Sequence, residues 1–280
     1  CPRGKMLGGS SSHNGMVHVR GNAMDFENWA QQGLSKWGYS GVLPYFKKSE
    51  CITGLDHNYR NDSGPLKLSR SENRNVLAQI YLKSAESAGY DINRDMNGYK
   101  QEGFGLMDTT ILNGKRQSAS VTYLHPVIHR KNLTVITGNS VSKILIENNK
   151  ATGVECIIEN QLKNFYAEKE VLLSAGAINS PQLLMLSGIG PEDQLKKYNI
   201  KPQSVLNGVG QNLQDHLETY VQYECKKPVT LYGSYNPVKM VLIGIQWFLF
   251  KNGIAAHSNL ETGGFVRSND MVNYPNIQYH

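Results

Sequence analysis

One short segment limits the folds open to this chain, because it joins an apolar stretch to a helix start through a tight glycine turn. Residues 170–174 read EVLLS, which is typical of a buried strand, and Ala175-Gly176-Ala177 follows directly. Asn179-Ser180-Pro181 then predicts a helix N-terminus, since a polar residue caps the first turn and proline suits its first position. Such a unit is typical of α/β folds, in which ligands bind at the helix N-terminus, although packing alone would explain it equally well.

Other segments add antiparallel pairing and further helices. Ser142–Ile146 and Gly153–Ile158 flank Asn148-Asn149, which predicts a β-hairpin. Asn75–Ala88 has the apolar period of an amphipathic helix. Met240–Phe250 is an apolar run of 11 residues, too short for a bilayer that needs about 20, so it predicts a buried helix. Together these patterns predict an α/β fold with mixed sheets.

A loop rich in glycine and serine is the first candidate for a ligand site. Residues 4–14 read GKMLGGSSSHN. The consecutive glycines Gly8 and Gly9 let the backbone approach a ligand closely, and successive N–H groups form a nest for an anion, to which Ser10 adds a hydroxyl. A flexible linker has a similar composition, but the apolar continuation over residues 16–19 disfavours that alternative. We therefore predict a cradle for an anionic group such as a pyrophosphate.

Charge and cysteine usage disfavour two other classes of function. The 280 residues carry a formal net charge of +6, but their basic residues are scattered and form no run of five or more, so no nucleic-acid partner is predicted. The cysteines stand alone, at spacings that suit no zinc site, so no metal is predicted. They are Cys1, Cys51, Cys156 and Cys225.

Two long motifs resemble the signatures of one enzyme family, the glucose–methanol–choline oxidoreductases. Residues 4–14 resemble the first signature, and residues 176–190, GAINSPQLLMLSGIG, match the second at every defined position. Within the family the chain is most similar to the choline-oxidising branch, over residues 208–232, 261–265 and 275–280 among others. The resemblance implies FAD as cofactor, a bipartite FAD-binding, Rossmann-like α/β domain, and a substrate domain built on an antiparallel sheet.

The resemblance also implies four segments of two domains. Residues 1–40 and 116–216 are expected in the FAD-binding domain, 41–115 in a cap or substrate-domain segment, and 217–280 in a truncated substrate-domain segment. The βαβ unit with the glycine fingerprint is expected upstream, and the catalytic histidine with its His or Asn partner downstream. We therefore expect no catalytic residue within the chain, and no activity from it alone.

The implied reaction is FAD-dependent oxidation of an alcohol by hydride transfer to the flavin. The expected substrate is choline, oxidised to betaine aldehyde in glycine betaine synthesis, and the expected electron acceptor is a membrane quinone chain. The expected location is the mitochondrial inner membrane in an animal, or the cytoplasm or its membrane in a bacterium. Another alcohol or sugar dehydrogenase or lyase of the family remains an alternative, as does a non-catalytic fragment or pseudoenzyme.

The cofactor contacts that the resemblance implies continue beyond the loop. His13 corresponds to the histidine that choline oxidases bond covalently to the flavin in a matching Ser-His-Asn, so it is a candidate flavin-linking residue, although most of the family binds FAD without that bond. His18 stands where the family usually has an aromatic residue. Val141 is expected to approach the adenine through its backbone. The other expected cofactor contacts are Gly8, Gly9, Ser10, Asn14, Gly15, Met16 and Val17.

Glu261 is the candidate for substrate binding. A trimethylammonium group donates no strong hydrogen bond, so it requires a counter-charge or aromatic faces. Glu261 precedes an apolar strand and stands in Glu-x-Gly-x-Phe, like the glutamate that holds choline in choline oxidase. A plain surface glutamate is the alternative.

Overall fold

The computed structural model describes residues 2–72 and 74–280, so Cys1 lies outside the described residues. The α-helices in this part of the chain are α1 Ala23–Gln31, α2 Tyr39–Ser49, α3 Val76–Ser87, α4 Gly176–Leu186, α5 Glu192–Lys197 and α6 Pro237–Phe250. The strands are β1 Val17–His18, β2 Glu50–Cys51, β3 Leu66–Lys67, β4 Ser69–Arg70, β5 Gly103–Leu106, β6 Asp108–Thr109, β7 Ile111–Leu112, β8 Lys115–Arg116, β9 Ser140–Glu147, β10 Lys150–Ile158, β11 Gln161–Tyr166, β12 Ile189–Gly190, β13 Ser204–Val205, β14 Thr262–Val266 and β15 Ile277–Tyr279.

The sheets are small and mixed in direction, as predicted. Three of them have three antiparallel strands, in the orders β1-β6-β4, β11-β10-β9 and β15-β14-β5. The pair β7-β8 is also antiparallel, whereas β2-β3 and β12-β13 are parallel.

The chain divides into two compact units. The first runs to Leu133 and resumes over Tyr223–His280, and the second is Thr134–Gln222. The division into four family-derived segments stays a prediction.

The first unit contains the sheet whose strand β14 begins one residue after Glu261. Helix α3 packs against β14 and β5 of this sheet. Phe104 of β5, Val266 of β14 and Ala85 of α3 are buried together. The helix begins after Asn75, whose side chain accepts a hydrogen bond of 2.8 Å from the Leu77 N–H and so caps the first turn. Strand β14 is thereby held beside α3.

The second unit contains the predicted hairpin, which the structure confirms. Strands β9 and β10 pair from Glu147 and Lys150 outward. Asn148 and Asn149 make the turn with φ of 49° and 62°, values that two-residue hairpin turns require and that asparagine tolerates. Helix α4 is fixed to this sheet because the Ile144 N–H donates to Ser187 Oγ at 2.8 Å.

The strand predicted at residues 170–174 is wrong. These residues are not in a strand, and Leu172 is 80 % exposed. A buried strand needs neighbours that take up its backbone hydrogen bonds, and none of the strands in the described residues pairs with this segment. The predicted helix start, with Pro181 as its first residue, is also wrong by five residues. Helix α4 begins at Gly176, whose φ of 89° makes the turn, and Pro181 lies inside it.

The apolar run 240–250 is helical as predicted, but the prediction that it is buried is wrong. No residue of α6 is buried, and Phe248 is 71 % exposed. Trp247 attaches the helix to an earlier segment of the same unit by donating from Nε1 to the Gly114 carbonyl at 2.7 Å. Across residues 2–72 and 74–280, no helix has both the length and the apolar character that crossing a membrane requires.

Candidate cofactor and substrate site

The glycine loop admits only glycine at position 8, whereas position 9 faces open space. Gly8 and Gly9 have φ of 88° and 55° and lead into a 3-10 turn over Gly9–Ser12. A Cβ on Gly8 would lie 2.4 Å from Ser12 Oγ, so a side chain there would disrupt the loop. A Cβ on Gly9 would meet no described atom within 4 Å. The loop therefore has no space for a side chain at Gly8 but has open space beside Gly9.

The serine hydroxyls mainly brace the loop. Ser11 Oγ donates to the Gly8 carbonyl at 2.5 Å, and Ser12 Oγ donates to the Leu7 carbonyl at 2.8 Å. Ser10 is exposed, and its Oγ accepts a bond of 3.2 Å from the Gly4 N–H. Of the three hydroxyls, that of Ser10 is thus the one best placed to meet a ligand.

Arg116 lies beside the loop and escaped the sequence analysis. Its Nη1 donates to Asn14 Oδ1 at 2.7 Å and to the Ser11 carbonyl at 3.2 Å. Burial lowers the pKa of the guanidinium from its ordinary value, but arginine stays protonated in proteins. A fixed cation therefore faces the loop. Its partners are 102 and 105 residues away in sequence, so no local motif signals the contact.

The remaining predicted cofactor residues follow the loop into β1. His13 is exposed, and its N–H donates to the Ser10 carbonyl at 3.2 Å. Met16 has φ of 64°, and its N–H donates to Asn14 Oδ1 at 3.1 Å. Val17 pairs with Thr109 in the sheet β1-β6-β4. This part of the loop is consequently continuous with a strand that fixes its far end.

Val141 lies in the second unit, in strand β9. Its side chain is 43 % exposed, and its partner across the strands is Cys156. The predicted contact of its backbone with adenine stays a prediction.

The end of the loop and the Glu261 segment are brought together by the fold. Ser258, which is buried, donates from Oγ to the Gly15 carbonyl at 2.8 Å, across 243 residues of sequence. Leu260 Cδ1 would lie 3.4 Å from a Cβ on Gly15. The Glu261 carbonyl accepts a bond of 2.9 Å from the Met107 N–H. Glu261 therefore directly follows a segment that lies against the end of the loop.

The Glu261 side chain is half-buried and lines a cavity of about 300 Å³. Its Oε2 accepts a hydrogen bond of 3.2 Å from the Asn75 N–H at the start of α3. Charged and polar neighbours in the cavity include Arg70, Arg74, Lys251, His257 and Ser258. The role of Glu261 in substrate binding stays a prediction, with a surface glutamate as its alternative.

A buried ionic network lies next to β1 and was also missed by the sequence analysis. Glu50 and Arg60 are 0 % and 1 % exposed, and Arg60 Nε donates to Glu50 Oε1 at 3.0 Å. Arg60 also pairs with Asp108 at 2.8 Å and with Asp95. Arg20 Nη2 lies 2.7 Å from Glu50 Oε1. The network therefore joins the chain after β1 to β2 and β6.

Electrostatics inside this network keep Glu50 ionised. Burial alone would raise its pKa, but His18, Arg60 and Arg20 lower the pKa to about 2. His18 Nε2 lies 3.7 Å from Glu50 Oε2, which has no hydrogen-bond partner among residues 2–72 and 74–280. The unusual histidine after the loop thus lies beside a buried carboxylate.

Comparison with known proteins identifies the family behind this geometry. The sequence model of GMC oxidoreductases matches residues 1–218. The chain belongs to the GMC oxidoreductase family. The resemblance drawn from the two signatures is therefore confirmed.

The relatives within this family include choline dehydrogenases. Human mitochondrial choline dehydrogenase is 50% identical over 279 residues, which are 100% of this chain and 47% of that protein. The oxygen-dependent choline dehydrogenase of Staphylococcus xylosus is 50% identical over 281 residues, covering 99% of this chain and 50% of that protein. The chain thus spans about half the length of the curated relatives it matches.

Solved structures confirm the predicted fold class. An FAD-dependent oxidoreductase from Chaetomium thermophilum matches with a TM-score of 0.82 and 30% identity, over 94% of this chain and 49% of that one. A formate oxidase matches with a TM-score of 0.82 and 26% identity, over 95% of this chain and 48% of that one. The α/β fold with mixed sheets is therefore the fold of FAD-binding members of the family.

Proposed function

We propose that the full-length protein is an FAD-dependent dehydrogenase that oxidises choline to betaine aldehyde. In this proposal residues 1–280 supply the cofactor loop and the glutamate that binds the substrate cation. The observation that carries it is the 2.8 Å bond from Ser258 to Gly15, because it sets the Glu261 segment against the end of the loop. The identity of about half of all positions to two choline dehydrogenases supports the choice of substrate.

The loop fits the pyrophosphate of FAD. Gly9 leaves open space at the loop surface, Ser10 presents a hydroxyl, and Arg116 supplies a fixed positive charge. These groups suit a pyrophosphate diester, which carries one negative charge on each phosphate and is stabilised by backbone N–H groups and by arginine. When bound, FAD supplies the hydride acceptor for alcohol oxidation. The proposed contacts in the loop and β1 are Gly8, Gly9, Ser10, His13, Asn14, Gly15, Met16 and Val17. On the family resemblance alone, Val141 is proposed as a contact of the adenine.

Glu261 suits a quaternary ammonium. Its carboxylate is half-buried, and the hydrogen bond from the Asn75 N–H holds one oxygen in place. A cation without strong donors is attracted to a fixed charge in a cavity that excludes much of the water. The base that removes the hydroxyl proton is proposed to be a histidine outside residues 1–280.

Glu261→Gln in the full-length protein should raise the KM for choline by about 10- to 100-fold, which corresponds to about 1.4–2.8 kcal/mol. The substitution removes the Coulomb attraction between a half-buried carboxylate and the substrate cation. Glutamine retains an oxygen that can accept from Asn75, so the fold should survive. Steady-state kinetics with choline and with the uncharged isostere 3,3-dimethylbutanol check this, and the isostere should be much less affected.

The matched control for this variant is Glu102→Gln, which removes a carboxylate that pairs with Arg267 and does not line the cavity. It should leave both substrates unchanged. Equal losses for choline and the isostere in Glu261→Gln, or no loss for either, would show that Glu261 does not recognise the charge.

His13 is proposed as the residue that links covalently to the flavin. Its exposed position at the end of the 3-10 turn leaves the imidazole free of burial. Acid precipitation of the full-length protein should leave yellow flavin in the pellet, and His13→Ala should move it to the supernatant. Flavin found entirely in the supernatant of the wild-type protein would rule the bond out.

The location is proposed on the names of the relatives, and the electron acceptor on the family resemblance. One relative is called mitochondrial and another oxygen-dependent. We propose a membrane quinone chain as acceptor, with the mitochondrial inner membrane as the location in an animal and the cytoplasm or its membrane in a bacterium. Parallel measurement of quinone reduction and oxygen consumption separates these acceptors.

A further inference from the structure

The cavity beside Glu261 carries positive charge that the binding of a cationic substrate does not explain. Arg70, Arg74 and Lys251 line it, against the two carboxylates Glu72 and Glu261. A site for a cation alone would be weakened by arginines so close to it, because like charges repel. The lining is better matched to a ligand that bears both charges.

The three cations differ in how far they are already neutralised. Arg70 donates from Nε to the buried Asp108 at 3.0 Å, so its charge is compensated by the buried ionic network. Lys251 donates to the Phe248 carbonyl at 3.0 Å and lies 3.9 Å from the centre of the Trp247 ring. Both are occupied by partners within the fold.

Arg74 is the cation that a ligand can recruit. It pairs with Glu72, but the two side chains are 49% and 60% exposed, and an exposed pair stabilises little. Its Nη1 lies 2.7 Å from His257 Nε2, which fixes the guanidinium at the wall of the cavity. A ligand carboxylate can replace Glu72 at this arginine at small cost.

The cation subsite and this arginine are adjacent. Arg74 immediately precedes Asn75, whose N–H donates to Glu261 Oε2 at 3.2 Å. His257 also lines the cavity and stands four residues before Glu261 in the sequence. The cavity therefore presents a carboxylate and an Arg–His pair on neighbouring segments.

We propose that Arg74 and His257 form a second subsite, which binds the carboxylate of a quaternary-ammonium carboxylate while Glu261 holds its ammonium group. This inference rests on the proposed function. If the hydrate of the aldehyde product gave a second hydride to FAD and a proton to a base, the resulting acid would be such a zwitterion, with its charges one methylene apart. Because of this subsite, the full-length protein would bind the zwitterion, which would then compete with the alcohol for the cavity.

The test measures binding to the purified full-length holoenzyme by calorimetry, with glycine betaine as zwitterion and tetramethylammonium as cation. Arg74→Gln should weaken glycine betaine about 10-fold or more, the loss of a charge-assisted bond. The same change should tighten tetramethylammonium a few-fold, about the effect of removing a nearby positive charge. Arg74 is half-exposed, so the variant should fold normally.

Two further variants sharpen the result. Arg74→Lys keeps the charge and should recover part of the affinity for glycine betaine. Arg267→Gln removes an arginine that does not line the cavity and should change neither ligand.

The opposite shifts of the two ligands support the subsite. Shifts in the same direction, an unchanged affinity for glycine betaine in Arg74→Gln, or no binding of glycine betaine by the wild type would each overturn it. Failure of the proposed function looks different, because tetramethylammonium and choline would then both fail to bind.

Discussion

Arg60→Met should lower the free energy of unfolding by about 3–5 kcal/mol, the usual cost of leaving a buried charge without its partner. Arg60 is 1 % exposed and pairs with three carboxylates, Glu50, Asp95 and Asp108. Methionine has a similar reach but carries no charge, so these carboxylates would keep their desolvation cost and lose much of the compensation. Urea unfolding of the full-length protein, followed by circular dichroism, measures the change.

Arg267→Met is the control for this variant. Arg267 pairs with Glu102, and the two side chains are 38% and 31% exposed. Such a pair contributes about 0–1 kcal/mol, so its loss should be small. An equal effect of the two substitutions would contradict the central role of Arg60.

The pH dependence of the difference in unfolding free energy between wild type and Arg60→Met gives a second test. The folded pKa of Glu50 is lowered to about 2 from an ordinary value of 4.5. A lowered pKa stabilises the fold above the unfolded value, and the stabilisation is lost as the pH falls through the folded value. The gap between wild type and Arg60→Met should therefore be full near neutral pH and shrink between pH 4.5 and 2. A gap that stays constant over this window would exclude Glu50 as its source.

Gly9→Val should reduce FAD affinity of the full-length protein by about 100-fold or more, because two charge-assisted hydrogen bonds to a phosphate are worth about 3 kcal/mol together. A Cβ on Gly9 would meet no described protein atom within 4 Å, so the valine side chain would extend into the open space in which we place the cofactor. The measurement is the ratio of flavin absorbance to protein absorbance after purification, followed by FAD titration of the apoprotein.

The control for Gly9→Val must separate backbone strain from the lost cofactor space. Gly9 has φ of 55°, where a branched side chain is strained, and Gly54 has φ of 77° with equally open surroundings. Gly54→Val should therefore show a similar loss of stability but normal flavin content. Flavin retained in Gly9→Val, or lost in both variants, would refute the cradle at Gly9.

Sequence reasoning succeeded where the signal is local. The hairpin turn at Asn148 and Asn149 was predictable because asparagine adopts positive φ readily. The start of α3 was predictable because Asn75 caps its own helix. The loop at Gly8 and Gly9 was predictable because only a short list of residues permits that backbone.

Burial was harder to predict than secondary structure. Helix α6 formed over Pro237–Phe250 as its apolar run indicated, yet Leu242 and Phe248 are 59% and 71% exposed. Residues 170–174 have the composition of a core strand, but pairing depends on neighbours that the segment does not contain. Hydrophobic residues favour burial, but whether they are buried depends on the elements that pack around them.

The sequence by itself determined the family, and it predicted the glycine loop as the cofactor site and Glu261 as the substrate residue, since each of these inferences depends on residues close together in the chain. Only the tertiary structure placed Arg116 against Asn14, Ser258 against Gly15, and Arg60 among its three carboxylates. The sequence around an arginine or a serine does not indicate its hydrogen-bond partner, because the side chain bonds with whichever acceptor the fold brings near. The folding of the backbone brings residues 102 and 243 positions apart within 3 Å of each other, and those contacts build the site.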